Sequence, residues 1–309
     1  MRWTGGLALI GILVAGCGTP ATAPRPVPLA LDFTPNAVHA GIYQASLDEE
    51  DGNGIDLQPR APGASTDSLK LLTSGRADFA VLDIHDLGLA REQGEDVVGV
   101  GAIVQEPLAA VIARDDVRRP RDLEGKRVGV TGLPSDDAVL RSVVENDGGD
   151  ISKVDPVTIG FSAVPSLVSG KVDAVVTFWN AEGVALRQRD FPVNEFRVDD
   201  YGAPRYPELV LATTGEIARA QPDLVDDVLA ALAAGNRAVA ADPAIALKAI
   251  TQASEADQGL VEAQYKALAG AFDGAPELDR KALEDWSRFD ARFGILKAPI
   301  DVNQAFPAR

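Results

Sequence analysis

The sequence predicts an α/β protein of two lobes built on one plan, and three observations carry that prediction. Short apolar strands alternate with helices of about 10–15 residues, which implies βαβ units and mostly parallel sheets. The segment Gly75-Arg76-Ala77-Asp78 runs into the apolar strand Phe79–Leu82, and Gly170-Lys171-Val172-Asp173 runs into Ala174–Phe178. Both read Gly, cation, small or apolar residue, Asp, strand, a weak repeat of the kind that duplicated lobes leave. Beyond Thr213 the pattern is almost wholly helical, and helices without strands of their own must cover an existing sheet.

The elements follow in order. Arg2 precedes an apolar run, Gly5–Ala15, too short to span a membrane, and Leu13-Val14-Ala15-Gly16-Cys17 resembles a bacterial lipoprotein signal. On that reading residues 1–16 are removed and Cys17 is lipidated. Two acyl chains on it anchor the protein stably, and residues 17–28, rich in Pro and Ala, form a tether. Val27, Leu29 and Leu31 alternate as a strand with one buried face. Thr34 then suits an N-cap, with Pro35 at the first helical position and Val38 and Ile42 one turn apart. Ile55–Gln58 is the second strand, and Ser65-Thr66-Asp67 caps a helix bearing Leu69 and Leu72. Phe79–Leu82 is a strand, Asp83 opens a helix that stops at Gly94, and Val97–Val104 is a buried strand broken at Gln105-Glu106-Pro107.

The plan then repeats. Arg127–Thr131 is a strand, and Ser135 caps a helix with Val139, Leu140, Val143 and Val144 inside. Val154–Ile159 is a strand, Ala163–Ser169 a short helix and Ala174–Phe178 a strand. One more strand, Glu208–Thr213, precedes the helices Pro222–Ala241, Pro243–Ala253, Asp257–Ala271 and Leu278–Phe293.

Composition narrows the function. The 309 residues are 46% hydrophobic and 24% charged, an ordinary globular balance. A net charge of −17 argues against nucleic acid and against electrostatic attachment to anionic lipid. With two histidines and one cysteine, Cys17, the chain offers no His/Cys metal site, no thiol catalysis and no internal disulfide. Gly125-Lys126 lacks the upstream Gly of a phosphate loop, and Gly99-Val100-Gly101 lacks the third Gly of a dinucleotide site.

Recognition groups gather instead at strand ends, where open α/β sheets bind ligands. Phe33 and Asn36 follow the first strand, Asp83 and His85 the third, and Ser135 follows Arg127–Thr131. Phe161 follows the strand ending at Ile159, and Trp179, Asn180 and Glu182 follow the strand ending at Phe178; Tyr206 lies on the chain's return. Rings with neutral and acidic hydrogen-bonding groups suit a flat, nitrogen-rich ring better than a free anion. His39 and His85 read as structural, satisfied hydrogen-bonders near the pocket.

Two stretches also resemble a known family. Asp32-Phe33-Thr34-Pro35-Asn36 with His39 and Gly41-Ile42-Tyr43 is the first. The second is Phe178-Trp179-Asn180-Ala181-Glu182, with Asp199-Asp200-Tyr201-Gly202-Ala203-Pro204 and Tyr206-Pro207-Glu208-Leu209-Val210-Leu211. They are similar to the proteins that capture the pyrimidine precursors of thiamine, and the similarity runs from about Leu29 to Leu211. Members more often carry Trp where this chain has Phe33, which keeps the ring and shrinks its stacking face.

The resemblance implies a two-lobed periplasmic-binding-protein fold of type II, with a cleft between the lobes. Residues 29–107 and 208–309 would form lobe I and 108–207 lobe II, with crossings near Leu108-Ala109-Ala110 and Asp200–Tyr206. It implies a monomeric, extracytoplasmic, lipid-anchored component of an ABC importer, with permease and ATPase subunits as partners. The ligand would be a hydroxymethyl- or formylaminomethyl-aminopyrimidine. The alternatives are another flat heterocycle such as riboflavin or, more remotely, a sulfonate or nitrate. Site residues implied are Phe33, Asn36, Asp83, Ser135, Phe161, Trp179, Asn180, Glu182 and Tyr206, with neither cofactor nor metal. Fungal pyrimidine-precursor synthases share the fold but use a lysine-bound pyridoxal phosphate and a Cys-rich motif. Here no Lys lies between Arg76 and Asp96 and there is no Cys cluster, so an enzyme is not expected.

Overall fold

The computed structural model describes residues 1, 23–47, 54–63, 67–270 and 276–308. Cys17, the expected leader from residue 2 and the start of the tether lie outside the described residues. Among the described residues no helix is long and apolar enough to cross a membrane.

The first lobe opens with β1 (Arg25–Ala30), α1 (Ala40–Leu47), β2 (Ile55–Arg60), α2 (Asp67–Thr73), β3 (Phe79–Asp83), α3 (Ile84–Glu92) and β4 (Val97–Val104). The second is β5 (Ala109–Arg114), β6 (Arg127–Val130), α4 (Pro134–Asn146), β7 (Asp155–Thr158), α5 (Ala163–Val168), β8 (Ala174–Phe178), α6 (Glu182–Arg187) and β9 (Val193–Arg197). The chain then returns through β10 (Leu209–Thr214). It ends in α7 (Gly215–Ala220), α8 (Pro222–Ala241), α9 (Ala244–Ser254), α10 (Gln258–Ala267), α11 (Arg280–Arg292) and α12 (Val302–Ala305).

The two sheets have the orders β2-β1-β3-β10-β4 and β7-β6-β8-β5-β9. Exchanging β1, β2, β3, β10 and β4 for β6, β7, β8, β5 and β9 turns one into the other, so the plan is duplicated. The sheets are mixed rather than mostly parallel. β1 lies parallel to β2 and β3, and β6 to β7 and β8. β10 runs antiparallel to β3 and β4, as β5 does to β8 and β9. The reason is topological: β5 and β10 enter their sheets from the other lobe, without the helical crossover that makes neighbours parallel.

The repeated motif has a structural cause. Gly75 and Gly170 sit in the left-handed region at φ +69° and +72°. Arg76 and Ala77 both donate their backbone N–H to Leu71 O, as Lys171 and Val172 do to Ser166 O. Asp78 N–H then reaches Pro28 O, and Asp173 N–H reaches Arg127 O. The motif is the same glycine-terminated helix exit feeding the central strand of each sheet.

Some boundaries differ from expectation. β1 begins at Arg25, so Arg25–Pro28 belongs to the sheet and not to the tether. Arg25 and Leu31 direct their N–H groups to Gly54 O and Arg60 O on the β2 side. Pro26 and Pro28 therefore present their missing N–H to the other side, where β3 pairs only with Leu29 and Ala30. Asn36, not Thr34, caps the first helical turn, Ala37–His39. Leu133, not Ser135, occupies the cap position of α4. The C-terminal helices serve both lobes. Leu283 and Trp286 of α11 pack with Ala80, Leu82 and Tyr206, whereas Phe289 and Phe293 pack with Val111, Val176 and Phe196.

Candidate functional site

A cavity of about 320 Å³ takes its walls from both lobes. Part of its wall stands at the carboxyl ends of parallel strands: Asp32 and Phe33 after β1, Asp83 closing β3, Thr131 after β6 and Phe178 closing β8. Phe33 meets Phe161, which follows β7, edge to face, with ring centroids 4.3 Å apart and planes at 69°. That aromatic pair bridges the lobes.

Histidines accompany the carboxyls of the first lobe. Asn36 N–H donates to His39 Nδ1 (3.2 Å), so the ring proton sits on Nε2 and is donated to Asp32 Oδ1 (2.8 Å). His39 is fully buried and aims the Asp32 carboxylate. Asp83 caps α3 by accepting from His85 N–H (2.8 Å). Burial first, and then Glu208, push its carboxyl up to about 8, against the pull of His85.

His85 is itself fully buried, with Nδ1 at 2.7 and 2.9 Å from the two Asp290 oxygens and Nε2 3.2 Å from the Tyr206 hydroxyl. Burial alone would depress this imidazole, but the carboxylates of Asp290, Asp83 and Glu208 outweigh it and hold it up to about 10. Glu208, on the return crossing, accepts through Oε2 from Leu108 N–H (2.6 Å) and Ala109 N–H (3.0 Å) on the outward crossing. One buried carboxylate thus ties the two crossings together. Asp83, His85 and Glu208 bring one potential metal-ligand atom each within 4.8 Å of one another. Of these groups, His85 Nδ1 and Glu208 Oε2 are already bonded to protein partners.

Hydroxyls accompany the carboxyls of the second lobe. Thr131 Oγ1 and Gly132 N–H donate to Asp136 Oδ2 at 2.8 and 2.9 Å, yet burial still pushes Asp136 up to about 6. Burial also raises Glu182, against the pull of the Thr177 hydroxyl and the Phe178 and Glu182 backbone N–H groups near it. Asp32, across the cleft, is near enough for its charge to push Glu182 further the same way. A carboxyl from each lobe therefore faces one space.

Of the residues expected from sequence, Phe33, Asp83, Ser135, Phe161 and Glu182 line the cavity. Asn36, Trp179, Asn180 and Tyr206 do not. Asn36 spends its side chain on the local turn, accepting from Val38 N–H (3.1 Å) and donating to Thr34 O (3.1 Å). Trp179 turns to the crossing, donating to Pro107 O (3.1 Å) beneath the Arg197 guanidinium. Asn180 is fully buried elsewhere. Tyr206 lies in the first-lobe core with its ring edge-on to His85. Sequence reasoning missed Asp32, Asp86, Asp136 and Lys70, the last being the only Lys or Arg in the cavity wall among the described residues. Two signals could have found acids among them: Asp86 is three residues after Asp83 on one helix face, and His39 is one turn past the Asp32 junction.

Two similar lobes around a ligand-sized cleft define the periplasmic-binding-protein class. The fold matches the alkanesulfonate-binding protein of Xanthomonas axonopodis pv. citri, solved with MOPS, at a TM-score of 0.74 and 18% identity, over 92% of this chain and 98% of that one. Within that class the chain belongs to the family described as NMT1/THI5 like, whose profile matches residues 36–246. It is 37% identical over 216 residues to the formylaminopyrimidine-binding protein of Halalkalibacterium halodurans, covering 66% of this chain and 64% of that protein. It is 25% identical over 236 residues to the 4-amino-5-hydroxymethyl-2-methylpyrimidine phosphate synthase of Legionella pneumophila, covering 74% and 73%. The match with the first of these relatives spans less than two thirds of that protein's length.

Proposed function

We propose that the chain is the extracytoplasmic substrate-binding component of an ABC importer and closes its lobes on an aminopyrimidine precursor of thiamine, formylaminomethyl or hydroxymethyl. The observation that carries this reading is the pairing of Asp32 on one lobe with Glu182 on the other, beside the Phe33–Phe161 contact. A carboxylate accepts from an exocyclic amine, and from the adjacent ring nitrogen when that is protonated. Such charge-assisted bonds are roughly twice as strong as neutral ones. The rings supply an apolar wall for the flat face, and 320 Å³ lies at the small end of ligand pockets.

Residues 29–107 with 208–309 and residues 108–207 are the moving bodies on this reading. The crossings joined by Glu208 are the hinge. Lipidation at Cys17 holds the domain at the membrane, where permease and ATPase subunits would receive its cargo. Binding without chemistry is favoured over the synthase reading because a side chain able to hold pyridoxal phosphate is missing between Arg76 and Asp96. The protein itself is tested by calorimetry against formylaminomethyl- and hydroxymethyl-aminopyrimidine, riboflavin and an aliphatic sulfonate. A pyrimidine is expected to bind most tightly; riboflavin or the sulfonate in first place would displace the assignment.

A further inference from the structure

We propose that the cleft takes aminopyrimidines with an extended substituent: the ring lies among the carboxyls at one end of the cavity, and the substituent runs between α2 and α3 to a mouth marked by Lys70 and Gln93. This rests on the reading of the cleft as an aminopyrimidine site and adds the shape of the ligand. Asp83, Asp86, Leu89, Ala90 and Gln93 all line the one cavity. From Asp86 onward they recur at i, i+3, i+4 and i+7, so a single face of α3 forms the wall from one end of the helix to the other. Asp83 precedes the first turn and Gln93 follows the last, ten residues apart, which at the rise of an α-helix is about 15 Å. An aminopyrimidine with a one-carbon substituent spans roughly half of that by ordinary bond lengths. The rest of the wall is left for a longer ligand to cover.

The two ends differ in chemistry. Asp32, Asp83, Asp136 and Glu182 stand in the wall contributed by both lobes. Beyond Asp86 the wall turns apolar, with Leu69 from α2 and Leu89 and Ala90 from α3. Ala90 is buried and small, Leu69 and Leu89 are partly exposed, and Lys70 and Gln93 are exposed, so the cavity opens to the surface there. Both of these last side chains carry N–H donors. The walls are held from behind. The Ser68 hydroxyl, near the start of α2, donates to Leu31 O just past β1. α3 is backed by α11, closely enough that a methyl group on Gly88 would meet the Trp286 ring at 2.9 Å. The channel between α2 and α3 lies within one lobe, so it keeps its shape while the lobes open and close. A substituent with an alkyl body and a hydrogen-bond acceptor at its end matches this order of walls, from apolar neck to donor-lined mouth.

The test is calorimetry with a graded series of N-acylaminomethyl-aminopyrimidines, from formyl through acetyl and butanoyl to hexanoyl, on the wild type and on Leu89→Trp. In the wild type each added methylene along the apolar neck is expected to tighten binding by up to about fourfold, until the chain reaches the mouth and affinity levels off. Leu89→Trp narrows the neck at a side chain that is only partly buried. It is expected to weaken the hexanoyl compound by about tenfold or more and to leave the formyl compound within about threefold of wild type. Thermal melts establish that the variant is folded, and the wild-type length series decides by itself if it is not. A pocket closed behind the ring would give an affinity that falls steeply from acetyl onward, which would overturn the proposal. Long members that bind the folded Leu89→Trp protein as tightly as the wild type would also overturn it. Tight binding of the formyl compound with rejection of hexanoyl would sink the extended substituent alone, whereas a chain that binds no member of the series would overturn the proposed function together with it.

Discussion

In the first lobe, Asp32 receives the Nε2–H of His39 and Asp83 caps the turn that carries His85; in the second, Asp136 receives the Thr131 hydroxyl and Glu182 has the Thr177 hydroxyl near it. The scaffold beneath is the same on both sides, with equivalent strand orders and equivalent glycine exits at Gly75 and Gly170. The lobes thus differ in the partners of their carboxyls and not in where the carboxyls stand. A histidine can carry charge, and in the first lobe the buried His85–Asp290 pair fixes the region of the crossings. A threonine can only donate a neutral hydrogen bond, which leaves the second lobe's carboxyls, raised by burial, to be met by a ligand.

The largest effect that would break this contrast is on stability. His85→Ala strips the partner from a fully buried Asp290 and should cost about 3–5 kcal/mol. For a chain of this size that is a fall in melting temperature of roughly 10 °C. Its second-lobe counterpart, Thr131→Val, loses the hydroxyl's bond to Asp136 and should cost about 1 kcal/mol. Thermal melts in which the two variants fall equally would erase the distinction.

A smaller effect separates the lobes by pH. His85 is held up to about 10, above its ordinary value of about 6.5, so the folded state binds the proton more tightly and its stabilising contribution is lost as pH rises between those values. Asp83, pushed up to about 8, loses its contribution between the ordinary carboxylate range near 4 and about 8. Asp136 loses its own between about 4 and 6. Melting temperature should therefore fall as pH rises from 5 to 9. Asp136→Asn should flatten only the acid portion, leaving the slope above about pH 7 to the first lobe. A slope above pH 7 that disappears in Asp136→Asn would reverse the assignment.

How much was legible in the sequence follows from the same physics. α8 was readable from end to end because Pro222 opens it and the apolar positions keep a helical period up to Ala241. β5 and β9 were not: Ala109–Arg114 directly follows a proline-broken junction, and β9 is an edge strand with only Phe196 buried. Both lie beside the crossings, where the chain changes lobe and local pattern says least about the partner strand. At the site, Phe33, Asp83 and Glu182 were accessible to reasoning because strand ends in such sheets converge. Trp179, Asn180 and Tyr206 were misplaced because neighbours at a strand end point to opposite faces, and single-residue orientation is decided by packing.

The central claim is that one ligand is gripped by a carboxyl from each lobe, and calorimetry of Asp32→Asn and Glu182→Gln with the tightest-binding aminopyrimidine tests it most directly. Each substitution preserves size and removes a charge, so each should cost about 1.5–3 kcal/mol of affinity, roughly 10- to 100-fold in Kd. The Glu182→Gln melting temperature without ligand should barely move. Weakening of that order in both variants is the result the account predicts; an unchanged Kd in either would remove that lobe from the grip and contradict the account.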